Sequence, residues 1–183
     1  YVIRLNTNAS VDYSFNPGPS FNNYVYPHSI ALQPDGKLIM GGTFTAFNGV
    51  TRNYIARLNS DGSLDPSFDP GIGFDNYVYS VVLQPDGKVI VGGEFNNFDG
   101  NIRNKVTRLN ANGTIDNTFD PLAGFNATVS ALLMQPDGKI IAGGAFTTFY
   151  NGATSNRIVR INSNGSIDGS FDAFGGYNGQ VWD

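Results

Sequence analysis

Few side chains in this sequence could act on a ligand, and most of them recur. Arg4, Arg57, Arg108 and Arg160 are each followed eight residues later by an aspartate: Asp12, Asp65, Asp116 and Asp168. A guanidinium fits a carboxylate in a two-pronged, charge-assisted geometry. A side chain present in every copy solves a problem that every unit shares, so these eight residues are expected to form structural pairs within or between repeating units. The segment Asn59-Ser60-Asp61-Gly62-Ser63-Leu64-Asp65 sets oxygen side chains at its first, third and seventh positions around a glycine. That is part of what a calcium loop offers, and Asn59, Asp61 and Asp65 are the weak calcium candidates. Matching sets are Asn110/Asn112/Asp116 and Asn162/Asn164/Asp168, but the first position is always neutral and no bidentate Glu follows. The favoured reading is a hairpin turn in which Asn and Asp bond the backbone.

The remaining chemistry is sparse. His28 has Ser29 beside it but no Cys or acid close in sequence, whereas triads and metal sites need several such groups. It reads as a loop histidine in a Pro27-His28 insertion. Glu94 is the only glutamate. An aspartate pair could serve a hydrolase, yet each aspartate also has a turn explanation. No catalytic residue, metal or cofactor is assigned, and the chain is not expected to be an enzyme.

The elements that must position these residues are set by a repeat. Gln-Pro-Asp-Gly-Lys occurs at 33–37, 84–88 and 135–139, a period of 51 residues, and each copy precedes a paired glycine at 41–42, 92–93 and 143–144. A period near 50 residues marks a propeller, solenoid or similar array. In the second copy, residues 78–84 and 88–95 read as strands rich in β-branched residues, joined by the Pro-Asp-Gly turn. Residues 105–110 and 114–119 read as a third and a short fourth strand, with Phe98-Asp99-Gly100 in a connection. Four short antiparallel strands per unit make a propeller blade. The apolar runs suit sheets buried on both faces, and paired glycines mark a bulge or a close backbone approach. No segment shows a helical period.

The expected fold is therefore all-β, a propeller-type array of four-stranded antiparallel blades. Residues 1–16 end a preceding blade, 17–69, 70–120 and 121–172 are blades, and 173–183 begin another. Tyr1 to Asn6 parallels Tyr54 to Asn59, so the chain reads as a window on a longer array, with sheet edges at both ends. Phe21, Phe74, Phe125 and Tyr177 lie in the links, with Tyr24 and Tyr77 just beyond, and are expected to wedge between blades. Trp182 matches Tyr26 and Tyr79 by position and reads as packing. Ala9 stands where other copies have glycine, and Tyr150 lengthens a loop.

Composition excludes several classes. Charged residues are 14 % of the chain and the formal charge is −4, against a usual charged share of about 25 %, so a basic footprint for nucleic acid is missing. Three of the four lysines sit in the repeated pentapeptide, which leaves no polybasic patch for anionic lipid. There are no cysteines, hence no disulfide or thiolate site, and no apolar run approaches a membrane span of about 18 residues.

The pattern Leu-Gln-Pro-Asp-Gly-Lys-Leu-Ile-Met-Gly-Gly-Thr-Phe at 32–44, its copies at 83–95 and 134–146, and the tail Arg57 to Asp69 together resemble the delta-60 repeat family of β-propellers. The resemblance covers essentially the whole chain. It implies long bacterial surface or secreted proteins, or phage fibre proteins, and it supplies no catalytic motif. The expected function is a non-enzymatic structural or adhesive module, extracellular or at the cell surface. Its partners would be further blades of the same chain or a second copy at the sheet edges, with glycan as a further class. The alternative is a carbohydrate- or calcium-dependent binding module.

Overall fold

The computed structural model describes residues 2–19, 21–22, 27–121, 124–148, 156–171 and 176–182. In the first blade, β1 (Pro27–Leu32) and β2 (Leu38–Gly42) flank the Pro-Asp-Gly turn, followed by β3 (Ala46–Phe47), β4 (Val50–Thr51) and β5 (Ile55–Leu58). The second blade repeats the order as β6 (Val78–Leu83), β7 (Val89–Gly93), β8 (Asn97–Phe98), β9 (Asn101–Ile102) and β10 (Val106–Leu109). The third gives β11 (Val129–Met134), β12 (Ile140–Gly144) and β13 (Ile158–Ile161). Each blade is an antiparallel sheet with the second strand in the middle: β1-β2-β5, β6-β7-β10 and β11-β12-β13. Among the described residues no helix is long and apolar enough to cross a membrane.

The blades are three-stranded rather than four-stranded. The expected fourth strand contracts to one bridge, Leu58 with Leu64, Leu109 with Ile115 and Ile161 with Ile167. Its following aspartate turns the chain at once: the Oδ1 of Asp65, Asp116 and Asp168 accepts from the backbone N–H two residues on, at 2.9–3.0 Å. The stretch read as a plain connection is instead a small hairpin, β3-β4 and β8-β9. Its two-residue turns, Asn48-Gly49 and Asp99-Gly100, hold positive φ throughout, the type I′ geometry that suits the twist of paired strands. The edge strand expected from Tyr1 has no strand among residues 2–6, and Leu5 bridges Val11. Tyr1, Tyr24, Tyr26, Tyr150 and Asp183 lie outside the described residues.

The core lies between sheets. Ile39 and Ile55 of the first blade pack with Val78, Val91 and Phe95 of the second, and Ile90 and Val106 of the second pack with Val129 and Leu132 of the third. Every residue of β7 is buried, as expected of a sheet covered on both faces. The paired glycines make this approach possible. A Cβ at Gly92 would meet Val129 Cγ1 at 2.7 Å, and at Gly143 Val181 Cγ1 at 2.7 Å. The second glycine faces backbone instead: Gly93 lies against the Tyr77 carbonyl oxygen and Gly144 against that of Thr128. Here too the ladder shifts register, between Val78 and Ser80 and between Val129 and Ala131. Ala9 keeps its turn by adopting the left-handed φ of 63°, a conformation that carries strain for any residue with a Cβ.

Hydroxyls stitch neighbouring first strands together. Val81 N–H donates to Ser29 Oγ and Leu132 N–H to Ser80 Oγ, each at 3.0 Å. The strands β1, β6 and β11 therefore stand side by side, the position of innermost strands around a propeller axis.

Candidate functional site

The four recurring Arg–Asp pairs all form, with Nε to Oδ2 distances of 2.7–2.8 Å. They are single-pronged rather than two-pronged, because the guanidinium divides its donors among several partners. In the second blade Arg108 Nη2 donates to Thr118 Oγ1 at 2.9 Å, and Nη1 crosses to the Ser163 carbonyl of the next blade at 2.7 Å. Arg57 reaches the Ala111 carbonyl in the same way, at 2.6 Å. Each guanidinium also covers a phenylalanine ring: Phe15, Phe68, Phe119 or Phe171, at 5.0–5.1 Å. The pentapeptide lysine supplies a second cation. Lys37, Lys88 and Lys139 Nζ lie 2.8 Å from Oδ2 of Asp65, Asp116 and Asp168. Burial alone would push Asp65 and Asp116 up, but the lysine, hydroxyl, backbone and arginine hydrogen bonds outweigh it and hold both well below the usual carboxylate range. Asp168 is held low by the same set, Lys139 foremost.

The calcium candidates spend their side chains on hydrogen bonds within the blade. Asn59 turns its Nδ2 inward, donating to Ser63 Oγ at 2.9 Å. Asp61 Oδ1 accepts from the Ser63 N–H and hydroxyl at 2.9 and 2.6 Å, and both oxygens of Asp65 belong to the network above. Among the described residues no cluster of three His, Cys, Asp or Glu could hold a metal. The loops are turns closed by Asn and Asp, with Gly62 at φ 91°.

A different set of side chains lines open space. The register shift at the start of each first strand bulges one residue out between two ladder pairs: His28 between Pro27 and Ser29, Tyr79 between Val78 and Ser80, Ser130 between Val129 and Ala131. A bulge of this kind re-aims its side chain. Val181 then packs on Gly143 as Val129 packs on Gly92, which gives Trp182 the same place in the following repeat. All four side chains line one cleft of about 530 Å³, together with Glu94 and Thr128. His28 is thus a strand residue at the Tyr79 position, not a loop insertion, and it is the counterpart of Trp182 where sequence alignment gave Tyr26. Trp182 is 74 % exposed rather than packed.

Within the cleft, His28 and Tyr79 rings meet edge to face at 4.8 Å, and Tyr79 donates its hydroxyl to Glu94 Oε2 at 3.2 Å. Lys105 stands behind, donating to the Glu94 carbonyl and to Asn96 Oδ1 at 2.9 and 2.7 Å. Burial, the Glu94 charge and the hydrogen bond to it push the Tyr79 phenol up to about 12. In Glu94→Gln the charge disappears, while burial remains and the amide oxygen can still accept from the phenol, so a carbon-13 tyrosine NMR titration should find Tyr79 lowered but still above its ordinary value of 10. An unchanged titration would mean that Glu94 does not sense the phenol.

Of the link phenylalanines, Phe74 and Phe125 are buried and Phe21 is half-buried. Phe74 and Phe125 sit 4.3 and 4.4 Å from Phe95 and Phe146, and Phe21 is 4.3 Å from Phe44. Tyr77 and Tyr177, by contrast, are exposed. Gln84 Oε1 accepts from Arg108 Nη1 at 3.4 Å, and a second cleft, of about 510 Å³, opens between the pentapeptide turns.

Antiparallel sheets stacked face to face around neighbouring first strands, each renewed by the same 51-residue unit, define a β-propeller repeat protein with delta-60-type repeats. The chain belongs to the family described as "Domain of unknown function (DUF5122) beta-propeller", which matches residues 33–68, 84–119 and 135–171. No curated protein matches. Among solved structures, similarity is found to a protein of unknown function from Bacteroides caccae, at 14 % identity and a TM-score of 0.29. The alignment covers 78 % of this chain and 65 % of that one.

Proposed function

We propose that this propeller repeat is a non-enzymatic structural and adhesive module of an extracellular or surface-exposed protein. The observation that carries the reading is a division of labour among the repeats. The recurring Arg, Asp and Lys side chains are spent within and between the blades, while the bulge position differs in each copy (His28, Tyr79, Ser130, Trp182) and lines open space. A fixed frame carrying a varied face is the arrangement of a recognition scaffold, since rigid elements hold binding residues best. Carboxylates held ionised by two cations are poor proton carriers near neutrality, and among the described residues the cleft contributes one carboxylate, Glu94.

The natural protein partner is another blade. Ile30 is 51 % exposed, whereas its counterpart Val81 is 4 % exposed against Gly41 of the preceding blade. A Gly-Gly strand from the same chain or a second copy would cover it and remove an open flank. Antibody against the chain should label intact cells or particles that make the parent protein, and beads coated with the chain should adhere to their target surface. Labelling only after permeabilisation would overturn the surface reading.

A further inference from the structure

The cleft between the bulged strands has the makings of a saccharide site. Resting on the reading of the chain as a binding scaffold, we infer that His28, Tyr79, Glu94, Thr128, Ser130 and Trp182 bind a neutral pyranose-containing glycan. The volume, about 530 Å³, lies inside the range of roughly 300–1,000 Å³ usual for small-molecule sites. The lining alternates flat rings with short hydroxyls. An aromatic face carries negative quadrupole charge and attracts the polarised C–H groups on the apolar side of a sugar ring. Tyrosine and tryptophan also offer that area at low conformational cost. Trp182 presents such a face, 74 % exposed, and Tyr79 is fixed by its contacts with His28 and Glu94.

The polar groups set the charge of the ligand. Glu94 Oε2 already accepts from Tyr79, but a carboxylate has about four lone-pair directions, which leaves acceptors for sugar hydroxyls. Its negative charge is partly balanced by the Lys105 ammonium bound at its own carbonyl. Lys105 stands behind Glu94, outside the lining of the cleft, and weakens the pull on a cationic ligand, while an anionic ligand would meet the carboxylate. A neutral polyol avoids that repulsion and can both donate to Glu94 and accept from Thr128. Ser130 takes a bond from Gln180 Nε2 at 3.1 Å, which orders that wall of the cleft.

Calorimetric titration of the 183-residue chain with cellobiose, lactose and diacetylchitobiose tests this, with choline chloride and sodium glucuronate as charged controls. At least one neutral disaccharide should bind saturably, and Trp182, the only tryptophan, should report it as a fluorescence shift. Trp182→Ala should weaken binding about tenfold, the scale of one lost stacking contact, while Trp182→Phe keeps most of it. Both variants should retain the wild-type circular dichroism, since the side chain is exposed. Saturation by no neutral disaccharide, binding of choline or glucuronate alone, or an unaffected Trp182→Ala would each overturn the glycan assignment, and in those cases surface labelling still judges the scaffold reading separately. Binding with cleavage of the disaccharide, read by mass spectrometry, would keep the glycan site and overturn the non-enzymatic reading.

Discussion

Asp116→Ala should lower stability by about 3–5 kcal/mol, the cost of removing one member of a buried ion pair. For a chain of this size that corresponds to a fall in melting temperature of roughly 10 °C. Arg108 is 7 % exposed and Asp116 4 %, so the guanidinium left behind cannot turn to water without opening the blade. Its Nη1 also holds the Ser163 carbonyl of the next blade, so the damage should spread across the interface. Lys88→Met should cost far less, about 1 kcal/mol or under, because the lysine side chain is already 30 % exposed. If Asp116→Ala and Lys88→Met cost the same, the aspartate does not act as the counterion of the buried arginine.

The same network fixes an acid response. Asp65, Asp116 and Asp168 are held below the carboxylate range in the folded chain, so the unfolded state takes up protons first as pH falls. Their contribution is complete well above the unfolded value of about 3.9 and is lost progressively as pH falls from roughly 5. Denaturant midpoints measured from pH 7 to pH 2 should therefore decline steeply for the wild type and less steeply for Asp116→Ala.

Much of this frame was legible because the chain prints it several times. Arg57 and Asp65 stand eight residues apart in a unit that recurs, and pairing follows from charge and repetition. Lys37 was harder, since 28 residues separate it from Asp65. The signal is that a pentapeptide lysine accompanies three of the four Arg–Asp pairs, while Arg4 and Asp12 pair in a more exposed setting. Asp99-Gly100 reads in the sequence as part of a connection, although such a dipeptide suits a hairpin turn, because strands of two residues carry no alternation to recognise. The candidate site was least legible. A bulge adds a residue without changing composition, so the string around Pro27-His28 looks like an insertion until the ladder shows its register shifting between Pro27 and Ser29. Repetition exposes what the blades share, and it hides the position where they differ.

Gly93→Ala should destabilise more than Gly92→Ala, although both change one hydrogen to a methyl in the same strand. At Gly92 the new Cβ meets the side chains of Val129 and Leu132, at 2.7 and 3.1 Å. These can rotate or shift, so the expected cost is that of ordinary overpacking, about 1–3 kcal/mol. At Gly93 the obstacle is the Tyr77 carbonyl oxygen, which is backbone and is tied down by the Glu94 N–H at 2.8 Å. Relief there requires breaking that bond and undoing the register shift that aims Tyr79 into the cleft, so the cost should exceed about 3 kcal/mol, the upper end of overpacking. The two positions also differ in rescue. Adding Val129→Ala removes the methyl that Gly92→Ala strikes, so the double variant should be more stable than the sum of its parts predicts, by at least about 0.5 kcal/mol. No side-chain truncation should rescue Gly93→Ala. Chemical denaturation of the four variants reads both results, and additivity at Gly92 would mean that the blades do not meet through that glycine.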